Sequence, residues 1–257
     1  GASMFVTSQA RAPEEPADAI RPLLKERLNE DYLSPIARQF ILRDAVSFLF
    51  PWRHYHDRGQ TLEDALIHDT KPDPGSLLSM NSTFQDLLGY EERGEIPSIV
   101  YSPMLVEDGR RLLISNLQLA DVATIDGDSL LAEERKTALD TIQGKQGNNK
   151  ELPADVQLEF ARINAISAVE FFRLFPEARE TFKVVTAVRM NATFPFITPT
   201  GVLPTDSPRQ VVDAGYYDNY GVDLATFLLF THRQWIAENT SGVVLVQIRA
   251  FRNEKQL

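Results

Sequence analysis

Apolar residues recur at helical spacing along much of the chain. Ile20, Leu23, Leu24 and Leu28 share one face of a 3.6-residue repeat, which predicts an amphipathic helix. Ser34-Pro35 supplies a cap and a first-turn proline for the next helix. The same pattern predicts helices that begin at Thr61 with a capping-box-like Thr-Leu-Glu-Asp, or that span 82–89, 154–174, 182–193 and 222–235.

Shorter apolar runs between these segments predict β-strands. Residues 99–105 and 111–115 read as two strands joined by an Asp108-Gly109 turn. A third strand ends at Asp213. The run 243–249 contains four consecutive apolar residues, which is typical of a strand buried on both faces in a parallel sheet.

The alternation of helices and short strands favours a single α/β domain over residues 1–257, and we find no internal repeat. Few central strands are visible for this length, so the domain is expected to be the incomplete C-terminal part of a larger one. The proline-bearing stretch 10–18 and the polar, glycine-rich stretch 144–153 are predicted to be flexible loops.

Charge and composition exclude some functions. The chain has 257 residues, with 26 Lys plus Arg against 36 Asp plus Glu, for a net charge of −10. This balance argues against a nucleic-acid partner, which would need a basic stripe. Cysteine is absent, which excludes thiolate metal sites and a cysteine nucleophile. With no run long enough for a membrane span, we expect a cytoplasmic or membrane-associated protein whose lipid contact is peripheral.

Asp213 is the strongest candidate for chemistry. Two valines lead to it and the small residues Ala214-Gly215 follow, so it should lie at the carboxyl end of a strand, where open α/β sheets place their sites. We expect Gly215 to adopt φ values that other residues avoid. Asp218 and Asn219 are expected to fix the turn through side-chain-to-backbone bonds. An aspartate before a glycine is also a common turn former without catalytic function.

Two segments carry a family resemblance. Arg189–Pro199, which begins about twenty residues upstream of Asp213, and Val211–Gly221 together closely resemble the bacterial patatin-like lipid acyl hydrolases. The chain departs from the family pattern at Ala214, where glycine is commoner. The resemblance implies a three-layer α/β/α fold of the lysophospholipase-like kind. It also implies a Ser–Asp dyad with Asp213 as base, a phospholipid or other lipid ester as substrate, and no metal or organic cofactor.

The dyad has a chemical rationale. A serine hydroxyl is a poor nucleophile until a neighbouring base removes its proton. The sequence between His68 and His232 contains no histidine, so the base near Asp213 would have to be the carboxylate itself. Two alternatives stay open: a patatin-like module that binds lipid or protein without catalysis, and a lipid acyltransferase.

The nucleophile is not evident. The elbow motif Gly-x-Ser-x-Gly has no intact copy in the sequence. Gly1-Ala2-Ser3 has three readings: residues from a cloning vector, the residues that follow a serine lost from this chain, or an elbow remnant in which Ser3 itself is the nucleophile. We expect the chain alone to be inactive if the serine precedes Gly1.

Three further features each have a structural interpretation as well as a functional one. His54 and His56 could bind a metal if they lay on a strand, but a solvated loop is the simpler interpretation. Arg189 could bind a phosphate or lipid head group, or pair with a carboxylate. The Phe-rich stretch 171–175 could line an acyl-chain channel, although a place in the core is favoured.

Overall fold

The computed structural model describes residues 2–10, 20–44, 58–69, 76–119, 168–193, 198–205, 207–218 and 220–248. The α-helices of these ranges are α1 (Ala2–Gln9), α2 (Ile20–Leu28), α3 (Leu33–Gln39), α4 (Arg58–Asp69), α5 (Phe84–Glu92), α6 (Phe171–Leu174), α7 (Val184–Asn191), α8 (Val222–Thr231) and α9 (Arg233–Asn239). A π-helical turn, Phe40–Asp44, follows α3, and 3₁₀ turns occupy Pro176–Glu180 and Ala214–Tyr216. Apart from Ala10, both predicted loops lie outside the described residues.

One mixed sheet accompanies the helices and confirms the α/β class. Its strands are β1 (Met104–Leu105), β2 (Arg111–Leu113), β3 (Ala168–Glu170), β4 (Gly201–Leu203) and β5 (Arg209–Val212), in the order β3-β2-β1-β5-β4. β2 and β3 are parallel, whereas β1 is antiparallel to both β2 and β5. It follows that β2, β3 and β5 run in the same direction and end at the same edge of the sheet.

The predicted turn at Asp108-Gly109 is confirmed. Gly109 has φ +70°, a left-handed conformation that glycine adopts without a Cβ clash, and its N–H donates to the Leu105 carbonyl at 2.9 Å. The Asp108 carboxylate pairs with Arg110 and also with Arg209, the first residue of β5. The turn therefore also holds β5 in place.

The first of the two strands is shorter than predicted. Only Met104–Leu105 is strand, and upstream of it the pairing is reduced to a single bridge between Tyr101 and Ile114. Pro103, which has no N–H to donate, lies between these two contacts.

An aromatic cluster forms the centre of the main core. Phe84 is fully buried, with its ring 5.0 Å from that of Phe172, and Phe171 lies 4.5 Å from Phe182. Phe175 packs at the margin of the same core. The core interpretation of residues 171–175 is confirmed, because these rings fill the space between the sheet and α5 and α7.

Three predicted helix boundaries are wrong. α3 begins at Leu33 with Tyr32 at its N-cap position, so Ser34 lies inside the first turn and is not the cap. α4 begins at Arg58, so Thr61 lies inside the helix rather than at its start. α5 is capped by Thr83 and Asp86, whose side chains each accept the other's backbone N–H. It continues through Gly89, predicted as its end, to Glu92. A glycine inside a helix lowers stability, but capping and core packing outweigh that cost here.

Two other helix predictions hold only in part. Residues 168–170, expected at the end of a long helix, form β3, because pairing with β2 overrides the helical pattern; 154–167 lie outside the described residues. The helix expected over 222–235 is interrupted at His232, where α8 ends and α9 follows. The helix over 182–193 is confirmed, with bounds Val184–Asn191.

The strand predicted over 243–249 is wrong for its described part. Residues 243–248 are neither strand nor helix, and Val244 and Ile248 are 87% and 85% exposed. Their β-forming side chains find no strand partner in the described part of the chain. A β-conformation needs such a partner, which is why sequence pattern alone misled here.

Candidate functional site

Asp213 directly follows β5, at the edge where β2 and β3 also end. Val211 and Val212 are buried and fix the end of the strand, whereas Asp213 is only half-buried. One oxygen of the Asp213 carboxylate accepts the N–H of Gly215 at 2.5 Å. Among the described residues no lysine, arginine or histidine pairs with this carboxylate. The predicted position of Asp213 at the end of a strand is confirmed, and its second oxygen accepts no hydrogen bond from the described residues.

The expectation for Gly215 is wrong. Residues Ala214–Tyr216 form a 3₁₀ turn capped by Asp213, and Gly215 is not among the glycines with positive φ. Its backbone N–H, rather than conformational freedom, is what the turn uses. Ala214 fits the same turn with its side chain buried, so the departure from glycine at this position is compatible with the local geometry.

Asp218 acts on the following helix rather than on the carboxylate of Asp213. Its side chain accepts the backbone N–H groups of Val222, Asp223 and Leu224 at 3.1, 3.1 and 3.3 Å. These are orphan donors of the first turn of α8, so Asp218 caps that helix. The predicted side-chain-to-backbone bonds are thus present, with α8 as their target. Asn219 lies outside the described residues.

A buried arginine that sequence reasoning missed lies beside this cap. The side chain of Arg111, in β2, is 2% exposed, and its Nη2 lies 3.1 Å from Asp223 Oδ2 and 3.8 Å from Asp218 Oδ2. Its guanidinium also stacks 4.2 Å from the ring centre of Tyr217. The available signal was a charged residue at the start of an apolar strand, since a buried charge requires a partner.

Part of the segment Arg189–Pro199, which carries the family resemblance, is hydrogen-bonded to the backbone of Asp213. The backbone N–H of Asp213 donates to the Thr193 carbonyl at 3.0 Å, just beyond α7. Two residues earlier, the Asn191 side chain accepts the N–H of Ser102 at 2.9 Å. The end of α7 is therefore bonded both to the segment before β1 and to the end of β5. Residues 194–197 lie outside the described residues.

Ala2 and Ser3, considered above as an elbow remnant, belong to α1, and Gly1 lies outside the described residues. The Ser3 side chain is buried and its Oγ accepts the hydroxyl of Tyr101 at 2.7 Å. Met4 and Val6 of the same helix join the main core. In the described part of the chain the Ser3 hydroxyl makes no hydrogen bond to Asp213, and its oxygen is instead the acceptor for Tyr101.

The remaining candidates have structural explanations or lie outside the described residues. Arg189 pairs with Glu63 at 2.7 Å, which confirms the carboxylate-partner interpretation and joins α7 to α4. His54 and His56 lie outside the described residues. Within the described ranges, no group of three or more His, Cys, Asp or Glu side chains is arranged to hold a metal ion.

Two cavities lie away from Asp213. One, of about 660 Å³, lies between α3 and α4 and includes Asp31, Arg38 and Thr61 in its lining. The other, of about 110 Å³, lies at the ends of β2 and β3 and is lined in part by Ser115 and Glu170. Asp213 is in the lining of neither cavity.

None of the described helices combines the length and the apolar character needed to cross a bilayer. Comparisons with known proteins give no match among family models, curated proteins or solved structures. The case for a function therefore depends on the geometry around Asp213 together with the sequence resemblance.

Proposed function

We propose that this chain is part of a serine acyl hydrolase of the patatin-like, three-layer α/β/α kind, which cleaves ester bonds of phospholipids or related lipids. The observation that carries the proposal is the state of Asp213. Its carboxylate lies at the carboxyl end of β5, is held by a single backbone N–H, and has no cationic partner among the described residues. Such a carboxylate is placed to accept a proton from a hydroxyl brought to the same edge.

The chemistry would proceed in two steps. A serine Oγ attacks the ester carbonyl carbon while Asp213 accepts the serine proton. The tetrahedral intermediate collapses to an acyl-serine, and Asp213 returns the proton to the departing alcohol. Asp213 then takes a proton from water, which attacks the acyl-serine carbonyl. As the bond to the serine Oγ breaks, Asp213 returns this proton to Oγ, which releases the fatty acid and restores the serine hydroxyl. Backbone N–H groups upstream of this chain would stabilise the oxyanion.

The nucleophile in this proposal is a serine N-terminal to Gly1 in the full-length protein. The elbow motif places its serine on a strand-to-helix turn, and α1 would be the helix that follows. Ser3 is a poorer choice, because it is buried and already bonded to Tyr101.

The test is labelling of the full-length protein by a fluorophosphonate probe, which reacts only with an activated serine. Asp213→Asn should slow labelling by at least about 100-fold, the usual contribution of a general base. Asp86→Asn is the matched control, since it alters an aspartate in a helix cap away from Asp213 and should label at the wild-type rate.

Two results would overturn the proposal, and two further measurements would refine it. An unlabelled wild-type protein, or an Asp213→Asn variant labelled at the wild-type rate, would overturn the acyl-hydrolase function. Peptide mapping of the adduct locates the nucleophile upstream of Gly1 or at Ser3. Product analysis with an added alcohol separates hydrolysis from acyl transfer.

A further inference from the structure

Arg111 occupies an unusual environment for a cation. It lies in β2, paired in register with Met104 of β1 and Ala168 of β3, and its side chain is 2% exposed. Removing a guanidinium from water is costly unless charged or hydrogen-bonding groups replace the solvent. Two carboxylates and one aromatic face, those of Asp218, Asp223 and Tyr217, provide part of that replacement, whereas the buried Nε of Arg111 has no hydrogen-bond partner among the described residues.

All three partners belong to the segment that leaves Asp213. Tyr217 and Asp218 are four and five residues beyond it, and Asp223 lies in the first turn of α8. Of the two carboxylates, Asp218 is 7% exposed and Asp223 is 65% exposed, so the buried pair is Arg111–Asp218. Because Asp218 also caps α8, Arg111 joins β2 to the start of that helix.

The segment between Asp213 and Asp218 is short and internally bonded. The N–H groups of Tyr217 and Asp218 both donate to the Ala214 carbonyl, at 3.0 and 2.9 Å. The Gly215 N–H donates back to the Asp213 carboxylate. A displacement of Asp218 would therefore be transmitted through Ala214 to the carboxylate of Asp213, because few free torsions intervene.

We infer that Arg111 is a positioning residue for Asp213: by fixing Asp218 and Tyr217, it sets the direction from which the Asp213 carboxylate accepts the serine proton. This inference rests on the proposed function. Arg111 does not touch the reacting atoms, since its closest acidic partners are Asp223 and Asp218. Its contribution is geometric, and a displacement of about 1 Å at a catalytic group can cost on the order of 100-fold in rate.

The experiment measures two quantities in full-length protein during fluorophosphonate labelling: the fraction of molecules that can be labelled, and the rate constant of labelling. If Arg111 serves only the fold, its replacement lowers the labelled fraction, because fewer molecules fold. If Arg111 positions Asp213, its replacement lowers the rate constant of labelling in the molecules that do fold. We expect Arg111→Met to retain a labelled fraction close to wild type with a rate constant reduced about 10-fold or more. Arg111→Lys should restore part of the rate, because it keeps the charge but loses the planar fork.

Arg93→Met is the matched control. It also removes an arginine that pairs with a carboxylate, that of Glu95, but just beyond the end of α5 and away from β5 and Asp213. Its rate constant should equal that of wild type. If Arg111→Met does not fold, Asp218→Asn replaces it, because the amide keeps an acceptor for the α8 cap while removing the charge partner. The same reduction in rate constant is expected.

The outcomes separate the two proposals. Labelled wild-type protein with wild-type rate constants in the folded Arg111→Lys and Asp218→Asn variants overturns the positioning role alone. Wild-type protein that is never labelled overturns the acyl-hydrolase function, and the positioning role with it. A loss of labelled fraction at an unchanged rate constant also overturns the positioning role, since Arg111 would then serve only the fold.

Discussion

The backbone N–H of Asp213 donates to the carbonyl of Thr193 at 3.0 Å, although the two residues belong to different elements. This bond attaches the end of β5 to the segment that leaves α7. Thr193 is 1% exposed, and its hydroxyl turns back to the Arg189 carbonyl at 2.7 Å. The start of the Asp213 turn is thereby fixed before any contact with Arg111 is considered.

The Asn191 side chain should be important for stability at this junction. Asn191→Leu removes the acceptor of the Ser102 N–H and leaves that donor without its partner. An unsatisfied buried donor costs about 1–3 kcal/mol, so the free energy of unfolding should fall by that amount in urea titrations. Asn191→Asp keeps an acceptor at the same place and should lose less. Equal losses in the two variants would show that this bond is not what matters.

Tyr101 should make stability depend on alkaline pH. Burial raises the pKa of its hydroxyl well above the ordinary value of 10.0. The neutral form is therefore favoured in the folded protein, and stability is lost as pH rises above about 10, where the unfolded chain ionises first. Loss of one proton from the unfolded chain makes the free energy of unfolding fall by about 1.4 kcal/mol for each pH unit.

Tyr101→Phe isolates that effect. The variant should lose about 1 kcal/mol near neutral pH, because the bond to Ser3 Oγ is gone. Above pH 10 its stability should fall less steeply with pH than that of the wild type. Urea unfolding measured between pH 8 and 11 compares the two slopes, and parallel slopes would contradict the prediction.

Glu91 should make stability depend on pH in the acid range. Burial is the main cause of a raised pKa for its carboxyl, against a hydrogen bond from Ser98 that lowers it. The folded protein therefore binds the Glu91 proton more tightly than the unfolded chain does. The stability that this proton contributes is fully present below about pH 4.5 and is lost as the pH rises through the pKa of the folded state. Glu91→Gln should be more stable than wild type at pH 7, by at most about 1 kcal/mol because solvent screens a half-exposed group. The two proteins should converge at pH 4.

Gly221 and Gly89 should respond to alanine with opposite signs. Gly221 has φ +67° at the start of α8, where a Cβ meets no atom within 4 Å but the backbone conformation is strained. Gly221→Ala should cost about 1–2 kcal/mol. Gly89 lies within α5, and its added Cβ would meet only the end of the Arg93 side chain at 3.3 Å. Gly89→Ala should add up to about 1 kcal/mol of stability. Thermal unfolding of both variants provides the comparison.

The exposed run 243–248 should affect solubility more than stability. Val244 and Ile248 are almost fully exposed, and the run is rich in β-branched residues, which favours pairing with other chains. Val244→Lys should therefore reduce light scattering at high protein concentration while changing the free energy of unfolding by less than about 0.5 kcal/mol. A large loss of stability would mean that this segment packs inside the fold in solution.

Sequence reasoning was most successful where the determinants are local. The Asp108-Gly109 turn and the helix ending near Asn191 depend on neighbouring residues, and both were predicted. Ala168–Glu170 was read as helix, because its strand conformation is imposed by β2, more than fifty residues earlier. The run 243–248 fails for the converse reason, since its strand-like pattern needs a neighbour to be realised.

In the candidate site, too, the features that depend on neighbouring residues were predicted and those that depend on distant residues were not. Placing Asp213 at the end of a strand required only the local pattern Val-Val-Asp-Ala-Gly. The Arg111–Asp218 pair joins residues more than a hundred positions apart, so no window of the sequence contains both. The target of Asp218, the cap of α8, depends on where that helix begins, and helix boundaries are the least certain part of a sequence prediction.

The hairpin of β1 and β2 closes over a few residues, whereas the contact from Asp108 to Arg209 spans 101 positions. Closing a long loop costs more conformational entropy than forming a short turn and is therefore slower. We expect β5 to dock onto a hairpin that is already formed. Asp213 would then reach its place in the last stage of folding. In refolding experiments, helical circular dichroism should return before the capacity to react with a serine-directed probe.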